Sequence, residues 1–306
     1  MILDLIIIGG GPAGITASVY ASRKRINFLL ITKDIGGQAV WSSDVENYPG
    51  YQFITGQDLM TKFQEHMKKY GIRVKENEEV IELEKKDKII HIKTTKETYE
   101  AKTVIIAAGK KVKEIGVPGE KEYKNKGVAY CVTCDGPLFA EKDVVVVGGG
   151  NSALDAAIQM MNIANKVYLI NITDAFTGDP VMQEKVKNNP KVKILHNTRV
   201  ESITGEKFVK GINIDTQGKK QTLDVKGVFI EIGLVPNSWF AKGVDKNEKG
   251  EIKVNCANET NVPGIFAAGD VTSVPEKQIV IAAGDGAKAA LGAFRYLARL
   301  KDPSPR

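Results

Sequence analysis

The sequence is poor in the residues that build disulfide-rich and metal-bound folds. Its 306 residues include three cysteines, three histidines and two tryptophans. So few cysteines exclude a dense extracellular disulfide framework. A structural zinc ion needs four ligands, and His66, His91 and His196 show no metal-ligand spacing. We therefore expect no metal site.

Long apolar runs and a strong charge of one sign are also missing. No stretch approaches the ~20 apolar residues that a membrane-spanning helix needs. The apolar residues 1–8 have no basic segment and include Asp4, which is unlike a signal peptide. The net charge is +6, but the lysines are scattered without aromatic residues between them, so we expect no nucleic-acid partner. These features predict a cytoplasmic protein without membrane contact.

The chain does have the length and composition of a two-domain globular protein. Hydrophobic residues make up 42% and charged residues 26%, which is close to ordinary globular usage. A chain of 306 residues exceeds what one compact domain usually needs. We expect two domains, each with its own core.

Two glycine-rich turns are the main structural signal. Residues 9–14 read Gly-Gly-Gly-Pro-Ala-Gly and residues 148–153 read Gly-Gly-Gly-Asn-Ser-Ala, each after an apolar run and before a helix-compatible one. In a dinucleotide-binding βαβ unit the first glycine permits the bend, the second admits a pyrophosphate, and the third small residue lets helix and strand pack. The helix N-terminus then faces the anion. The pattern predicts an α/β protein with two Rossmann-like, three-layer nucleotide-binding domains.

A short apolar segment near the C-terminus extends this prediction. Residues 264–270 end in Gly269-Asp270, and ligands of nucleotide folds collect beyond the carboxyl ends of strands, so Asp270 is a candidate for contacting sugar hydroxyls. If this segment shares a domain with the first glycine turn, the second domain is inserted into the first.

Two of the three cysteines form the sequence Cys131-Val132-Thr133-Cys134. This spacing suggests redox cycling, while a structural disulfide or half of a metal site is the alternative. Asp135 follows directly and is a candidate proton donor or acceptor for the thiols, although a helix-capping role is the simpler alternative. We assign no role to Cys256.

These pieces together resemble one known family, the low-molecular-weight thioredoxin reductases. The matching segments are residues 9–14, 36–38, 46–50, 131–136, 148–153, 269–270 and 277–278. Residues 134–139 and 283–288 are also similar to the flavoprotein subunit of alkyl hydroperoxide reductase. The resemblance implies an FAD-dependent oxidoreductase that reduces a thioredoxin-like or glutaredoxin-like protein through a Cys131–Cys134 disulfide and forms a homodimer.

The resemblance also implies a domain plan and two sets of cofactor residues. The FAD domain would comprise residues 1–113 and 245–306, and residues 114–244 would form the pyridine-nucleotide domain that carries the cysteines. The expected FAD residues are Gly9, Gly11, Pro12, Ala13, Gly14, Gly37, Gln38, Asn47, Gly109, Gly269, Asp270, Lys277, Gln278 and Ile279. The expected nicotinamide-nucleotide residues are Gly148, Gly150, Asn151, Ser152 and Ala153.

The sequence departs from the family at the site that would select NADPH. The family has His-Arg-Arg, three further residues and Arg, where this chain has Asn171 to Thr177 without an arginine, and the acid typical of NADH enzymes is absent as well. NADH is therefore favoured narrowly over NADPH. Reduced ferredoxin is the competing donor, and its acidic surface would suit a basic protein. A ferredoxin–nucleotide oxidoreductase and a non-enzymatic flavin redox sensor are the remaining alternatives.

Overall fold

The computed structural model describes residues 2–41, 45 and 47–301, with the backbone alone for residues 41, 133, 134 and 301. The α-helices are α1 (Pro12–Arg23), α2 (Gly56–Lys69), α3 (Val132–Asp135), α4 (Asn151–Ile163), α5 (Pro180–Lys187) and α6 (Ile279–Lys301). Short 3-10 helices span Gly37–Trp41, Gly136–Phe139 and Gly269–Val271. None of the helices in this described part combines the length and the apolar character needed to cross a bilayer.

Two compact units make up the chain, and the second interrupts the first. The first unit runs to Lys111 and resumes at Val235, and the second is Val112–Leu234. Both contain a sheet with parallel strand pairs, and the sheet of the first unit is mixed because it also has antiparallel pairs. The predicted α/β fold, with one domain inserted into the other, is confirmed.

The first unit is built on a seven-stranded sheet. Its strands are β1 (Ile2–Gly10), β2 (Phe28–Ile35), β3 (Val74–Lys75), β4 (Val80–Lys86), β5 (Ile89–Thr94), β6 (Thr98–Ile106) and β17 (Ile265–Ala267). The order is β3-β2-β1-β6-β5-β4. β17 runs parallel to the last residues of β6, while β5 pairs with its first residues. The carboxyl ends of β1, β6 and β17 therefore share one edge.

The second unit has a five-stranded parallel sheet and an antiparallel three-stranded meander. Its strands are β8 (Val128–Ala129), β9 (Asp143–Val147), β10 (Lys166–Ile170), β11 (Val192–Leu195), β12 (Thr198–Gly205), β13 (Val209–Thr216), β14 (Lys219–Asp224) and β15 (Gly227–Ile230). The parallel sheet has the order β11-β10-β9-β15-β8. Two further strands, β7 (Lys110–Val112) and β16 (Leu234–Pro236), pair with each other where the chain passes between the units.

The apolar runs become strands because parallel sheets are covered on both faces. Leu5, Ile6 and Ile7 of β1 are all fully buried, as are Val144 and Val145 of β9, and burial of each such side chain stabilises the fold by roughly 1.5–3 kcal/mol. Continuous apolar strands of this kind are typical of α/β folds. The turns that follow them are thereby fixed at the carboxyl edge of each sheet.

The second boundary between the units falls ten residues before the one that the sequence suggested. Residues 235–244 were assigned to the inserted domain, but Phe240, Ala241 and Val244 are buried in the core of the first unit. The backbone of Leu83 also donates to the Phe240 carbonyl at 2.8 Å. The residues that form these contacts, such as Leu83, are distant in sequence from residue 240, so the local sequence did not reveal the contacts.

Candidate functional site

The first glycine turn has the shape that a bound pyrophosphate requires. Gly9 has φ +110°, and a Cβ there would lie 2.2 Å from the Ala107 carbonyl oxygen. A Cβ on Gly14 would lie 1.8 Å from the Gly9 carbonyl oxygen, whereas a Cβ on Gly11 would meet nothing within 4 Å. The first and third glycines thus serve packing inside the fold, and the second faces open space. α1 begins at Pro12 without a side-chain cap, which leaves first-turn N–H groups for an anion.

Several other predicted FAD residues surround this turn. A Cβ on Gly37 would lie 3.3 Å from the Gly11 Cα, and a Cβ on Gly269 would lie 3.1 Å from the Ala13 Cβ. The Gln38 amide donates to the Lys110 carbonyl at 3.1 Å. The Gly109 carbonyl accepts from the Asn237 N–H at 3.0 Å.

One hydrogen bond joins predicted FAD residues that are far apart in sequence. The Asn47 amide Nδ2 donates to the Gln278 Oε1 at 2.9 Å, and both residues are exposed. Ile279 follows Gln278 and begins α6. Residues of the N-terminal segment and of the C-terminal segment therefore meet at one surface of the first unit. The open space at Gly11, the free start of α1 and this polar pair fit an FAD.

A charged cluster lies beside these residues. Glu251 pairs with Lys110 at 2.8 Å and with Lys277 at 3.4 Å, and the lysines together with an Asn247 hydrogen bond lower its pKa to about 2 against the opposing effect of burial. Burial raises the pKa of Asp270, and the positive charges of Lys277 and Lys110 partly offset that effect. Asp270 and Lys277 were predicted from the sequence, whereas Lys110 and Glu251 were not, because no motif marks them.

The second glycine turn repeats the first within the second unit. Gly148 has φ +146°, and a Cβ there would lie 2.2 Å from the Glu231 carbonyl oxygen. Ala153 is fully buried, whereas a Cβ on Gly150 would meet only the Thr177 Oγ1, at 3.9 Å. The side chains of Asn151 and Ser152 are exposed at the start of α4, which also lacks a side-chain cap. This turn can accept a second dinucleotide.

The loop after β10 closes against this turn. Asn171 is 4% exposed, its Nδ2 donates to the Ala175 carbonyl at 2.7 Å, and its Oδ1 accepts from the Thr173 hydroxyl at 3.1 Å. The Thr177 N–H donates to the Gly149 carbonyl at 2.8 Å. The Asn171 amide is thus engaged by its own loop, and Ile172 is 64% exposed where the family has an arginine.

The cysteines lie at the same sheet edge as the second glycine turn. β8 ends at Ala129, so the following Cys131 reaches the carboxyl edge, where it is disulfide-bonded. The side chain of Cys134 lies outside the described part of the structure, although its backbone belongs to α3. Cys256 is free and exposed.

Two carboxyl groups lie beside the cysteine turn, which comprises residues 131–134. Asp135 is the last residue of α3 and directly precedes the 3-10 helix Gly136–Phe139, which its side chain does not cap by a hydrogen bond, and burial raises its pKa. Glu231 follows β15, and burial raises the pKa of its carboxyl group to about 7, against the opposing effect of the Val132 backbone N–H. Glu231 was not predicted from the sequence. The only available signal was an acidic residue between Ile230 and Ile232 in an otherwise apolar run.

The raised pKa of Asp135 leads to a prediction for proton transfer. A buried carboxyl keeps its proton to higher pH and can donate it to a departing thiolate. We expect Asp135→Asn to lower disulfide turnover about a hundredfold, within the range of general acid catalysis. Because the acid form is lost as pH rises through its pKa, the alkaline decline of the rate should disappear in this variant.

The control for this prediction is Asp224→Asn, which makes the same change at an exposed residue of β14. The steady-state rates of Asp224→Asn, measured over the whole pH range in which the unmodified protein turns over, should match those of that protein. An Asp135→Asn enzyme with full rate and an unchanged pH profile would leave Asp135 without a role in proton transfer.

Comparisons with known proteins show which family the chain is similar to. The family model described as pyridine nucleotide-disulphide oxidoreductase matches residues 3–286. The chain is 42% identical over 299 residues to an NADH dehydrogenase of Bacillus subtilis, covering 97% of this chain and 59% of that protein. It is 41% identical over 300 residues to a component of the alkyl hydroperoxide reductase of Staphylococcus epidermidis, with the same two coverages.

A solved structure extends the match to the fold. The thioredoxin reductase of Lactococcus lactis superposes with a TM-score of 0.80 at 32% identity, covering 97% of this chain and 99% of that one. The resemblance predicted from the motifs is confirmed, and so is the pair of Rossmann-like domains. The chain spans 59% of the length of the two curated relatives.

Proposed function

The chain belongs to the pyridine nucleotide-disulphide oxidoreductase family, and from that membership we propose that it is an FAD-dependent reductase of thioredoxin-like protein disulfides. The observation that carries this proposal is the disulfide at Cys131, which directly precedes the short helix α3 at the carboxyl edge of the parallel sheet. Cys134 is the proposed partner. Exchange with an external disulfide needs an attacking thiolate beside a second sulfur, which this spacing provides.

We propose that the FAD residues are those gathered around the first glycine turn. The first-turn N–H groups of α1 would bind the pyrophosphate, and Asp270 would meet hydroxyl groups beyond the end of β17. Dinucleotide folds carry an acid for the ribose after the second strand, but here the buried Thr32 stands near that place, and Asp34, exposed at the end of β2, is the carboxylate close to it in sequence. Bound FAD would supply the two-electron chemistry that connects a nicotinamide to a disulfide.

At the cysteine turn the proposed roles are those of a nucleophile and an acid. Reduction opens the disulfide into a thiol and a thiolate. One cysteine then attacks the partner disulfide, and the mixed disulfide is resolved by the other, while Asp135 exchanges the proton. By resemblance to the family, Cys134 would lie nearer to the cofactor and Cys131 nearer to the partner.

We propose NADH as the electron donor. A 2′-phosphate is normally met by arginine, and residues 171–177 contain neither Arg nor Lys. We expect kcat/KM for NADH to exceed that for NADPH by at least about tenfold, a difference of about 1.4 kcal/mol. Ile172→Arg, made at an exposed position, should narrow that preference. Steady-state kinetics with both nucleotides measure this preference, and a higher kcat/KM for NADPH would contradict NADH as the donor.

Ferredoxin is the second candidate donor because the chain lacks the family's arginines and carries a net charge of +6. To separate the candidates, the oxidised protein is mixed anaerobically with NADH, NADPH and reduced ferredoxin in turn, and the bleaching of its flavin is followed. The proposed function then requires that the bleached enzyme generates thiols on an added thioredoxin-like protein. Bound FAD without turnover from any donor would favour a redox sensor instead.

A further inference from the structure

Glu120 is a buried carboxylate near the start of the second unit. The residue is 1% exposed, and both of its oxygens accept from backbone N–H groups, Oε1 from Ile115 at 3.1 Å and Oε2 from Gly116 at 2.6 Å. A buried carboxylate is costly unless donors of this kind satisfy it. Glu120 therefore holds residues 115–116 against the turn in which it lies.

The turn that carries Glu120 is itself fixed against the three-stranded meander. The Ile203 N–H of β12 donates to the Pro118 carbonyl at 2.9 Å, and a Cβ on Gly119 would lie 2.0 Å from the Ile203 carbonyl oxygen. Glycine fits there because Gly119 has φ +87° and no side chain. The Glu120 carboxylate therefore starts from a backbone with little freedom to move.

The third hydrogen bond of Glu120 leads to the cysteine turn. Its Oε1 accepts from the Tyr130 hydroxyl at 2.9 Å, and Tyr130 directly precedes Cys131, which is disulfide-bonded. The Tyr130 side chain is partly buried and packs against an apolar core of the second unit. Burial raises the pKa of Tyr130, and the hydrogen bond to Glu120 raises it further, so the phenol keeps its proton and remains a donor.

We propose that Tyr130 is a positioning residue for the redox-active pair: its hydrogen bond to Glu120 fixes the chain at the entry to the cysteine turn and favours the closed disulfide over the open dithiol. Closure of a disulfide depends on how closely the fold already holds the two sulfur atoms. A tether on the residue before Cys131 restricts the conformations that the reduced turn can adopt. This role deepens the proposed function and rests on it, because it requires Cys134 as the partner of Cys131.

A positioning role differs from a purely structural one in its dependence on the redox state. A hydrogen bond that is equally strong in the disulfide and the dithiol forms stabilises both and leaves the equilibrium between them unchanged. A hydrogen bond that is stronger in the disulfide form shifts the equilibrium toward that form by the corresponding factor. The equilibrium of the pair with a small dithiol therefore reports the proposed role of Tyr130.

The test is the anaerobic equilibrium of the whole purified chain with mixtures of reduced and oxidised dithiothreitol. Reduction of the pair breaks its S–S bond and takes up two electrons and two protons, which dithiothreitol supplies from its two thiols as it closes into a cyclic disulfide. After an acid quench, the free thiols are labelled with a maleimide. Peptide mass spectrometry then gives the fraction of the Cys131–Cys134 pair that is open.

Tyr130→Phe removes one hydroxyl group and leaves Glu120 with its two backbone donors, so the fold should persist. We expect the equilibrium constant for reduction by dithiothreitol to rise about fivefold, the factor that one hydrogen bond of ordinary net strength supplies. Glu120→Gln should raise this constant as well. The double variant should raise it no further than Glu120→Gln alone, because both substitutions break the same contact.

Two other tyrosines of the second unit provide matched controls. Tyr123→Phe removes a hydroxyl that donates to the Gly205 carbonyl at 2.9 Å, so it should lower the melting temperature while the equilibrium constant stays unchanged. Tyr168→Phe makes the same deletion at a partly buried tyrosine that packs against the same apolar core. It should leave the equilibrium constant unchanged.

An equilibrium constant for Tyr130→Phe that equals or falls below that of the unmodified protein would overturn the proposal, whatever the melting temperatures. A rise of the same size in Tyr123→Phe would overturn it too, because the effect would then follow from any lost hydrogen bond of the unit. Dithiothreitol reduces the pair without a nucleotide, so the measurement does not depend on the proposed enzyme activity. Failure of the proposed function would show separately, as an unmodified protein that cannot pass electrons from NADH to a protein disulfide.

Discussion

Cys131→Ser and Cys134→Ser are each expected to abolish NADH-driven reduction of a thioredoxin-like protein. A hydroxyl neither forms the disulfide nor leaves as a thiolate, so each variant should retain less than about one thousandth of the original rate, as when a catalytic nucleophile is removed. Reduction of bound FAD by NADH should persist. The measurement is thiol release on the partner, set beside flavin bleaching in the same sample.

The sequence supplies a control for this experiment. Cys256 is free and exposed, so Cys256→Ser should leave both readings unchanged. Full turnover in either variant of the cysteine pair would favour a ferredoxin–nucleotide oxidoreductase, which needs no cysteine pair on this fold.

Gly11→Val is expected to give a folded protein without FAD. Added side-chain atoms at Gly11 start from a Cβ that meets nothing within 4 Å in the protein itself, so the fold should tolerate them. They would occupy the space through which a pyrophosphate approaches the start of α1. We expect FAD affinity to fall at least about a hundredfold, or about 2.7 kcal/mol. Flavin absorbance after purification measures how much FAD is retained, and circular dichroism measures whether the protein is folded.

Gly150→Val is the matched variant in the second unit. A Cβ there meets only one atom, at 3.9 Å, so this substitution should also be tolerated by the fold. It should retain FAD but lose reduction by NADH. The two variants control for each other, and loss of FAD from both, or from neither, would contradict the assignment of the two turns.

The features that could be predicted from the sequence are those encoded in consecutive residues. Both glycine turns carry their geometric requirements locally: Gly9 and Gly148 need positive φ, and Gly14 and Ala153 need to be small. The apolar strands that precede these turns are equally local. The fold class followed from these segments, and from their order came the insertion of one domain into the other.

The features that could not be predicted depend on contacts between distant segments. No local pattern indicates that Lys110 pairs with Glu251. Such contacts arise only when the sheet order brings strand ends together. The packing of Phe240 into the core of the first unit has the same origin.

The loop after β10 could be predicted only in part from the sequence. Its sequence lacks the arginines of NADPH enzymes, which a comparison of motifs can detect. The engagement of the Asn171 amide by Thr173 and Ala175 is a property of the folded loop alone. Discrimination between NADH and NADPH therefore depends on which groups of this loop can still bind the ribose of the nucleotide. Steady-state kinetics with both nucleotides will measure that discrimination.

The most direct test of the central claim is a count of electrons and thiols. The oxidised FAD-loaded protein is titrated anaerobically with NADH, and its thiols are labelled with a maleimide under denaturing conditions at each point. We predict that the protein accepts two electron pairs, one at the flavin and one at the disulfide, and that labelling appears at both Cys131 and Cys134. Uptake of a single pair with flavin bleaching and no new thiols would contradict a flavin-coupled disulfide.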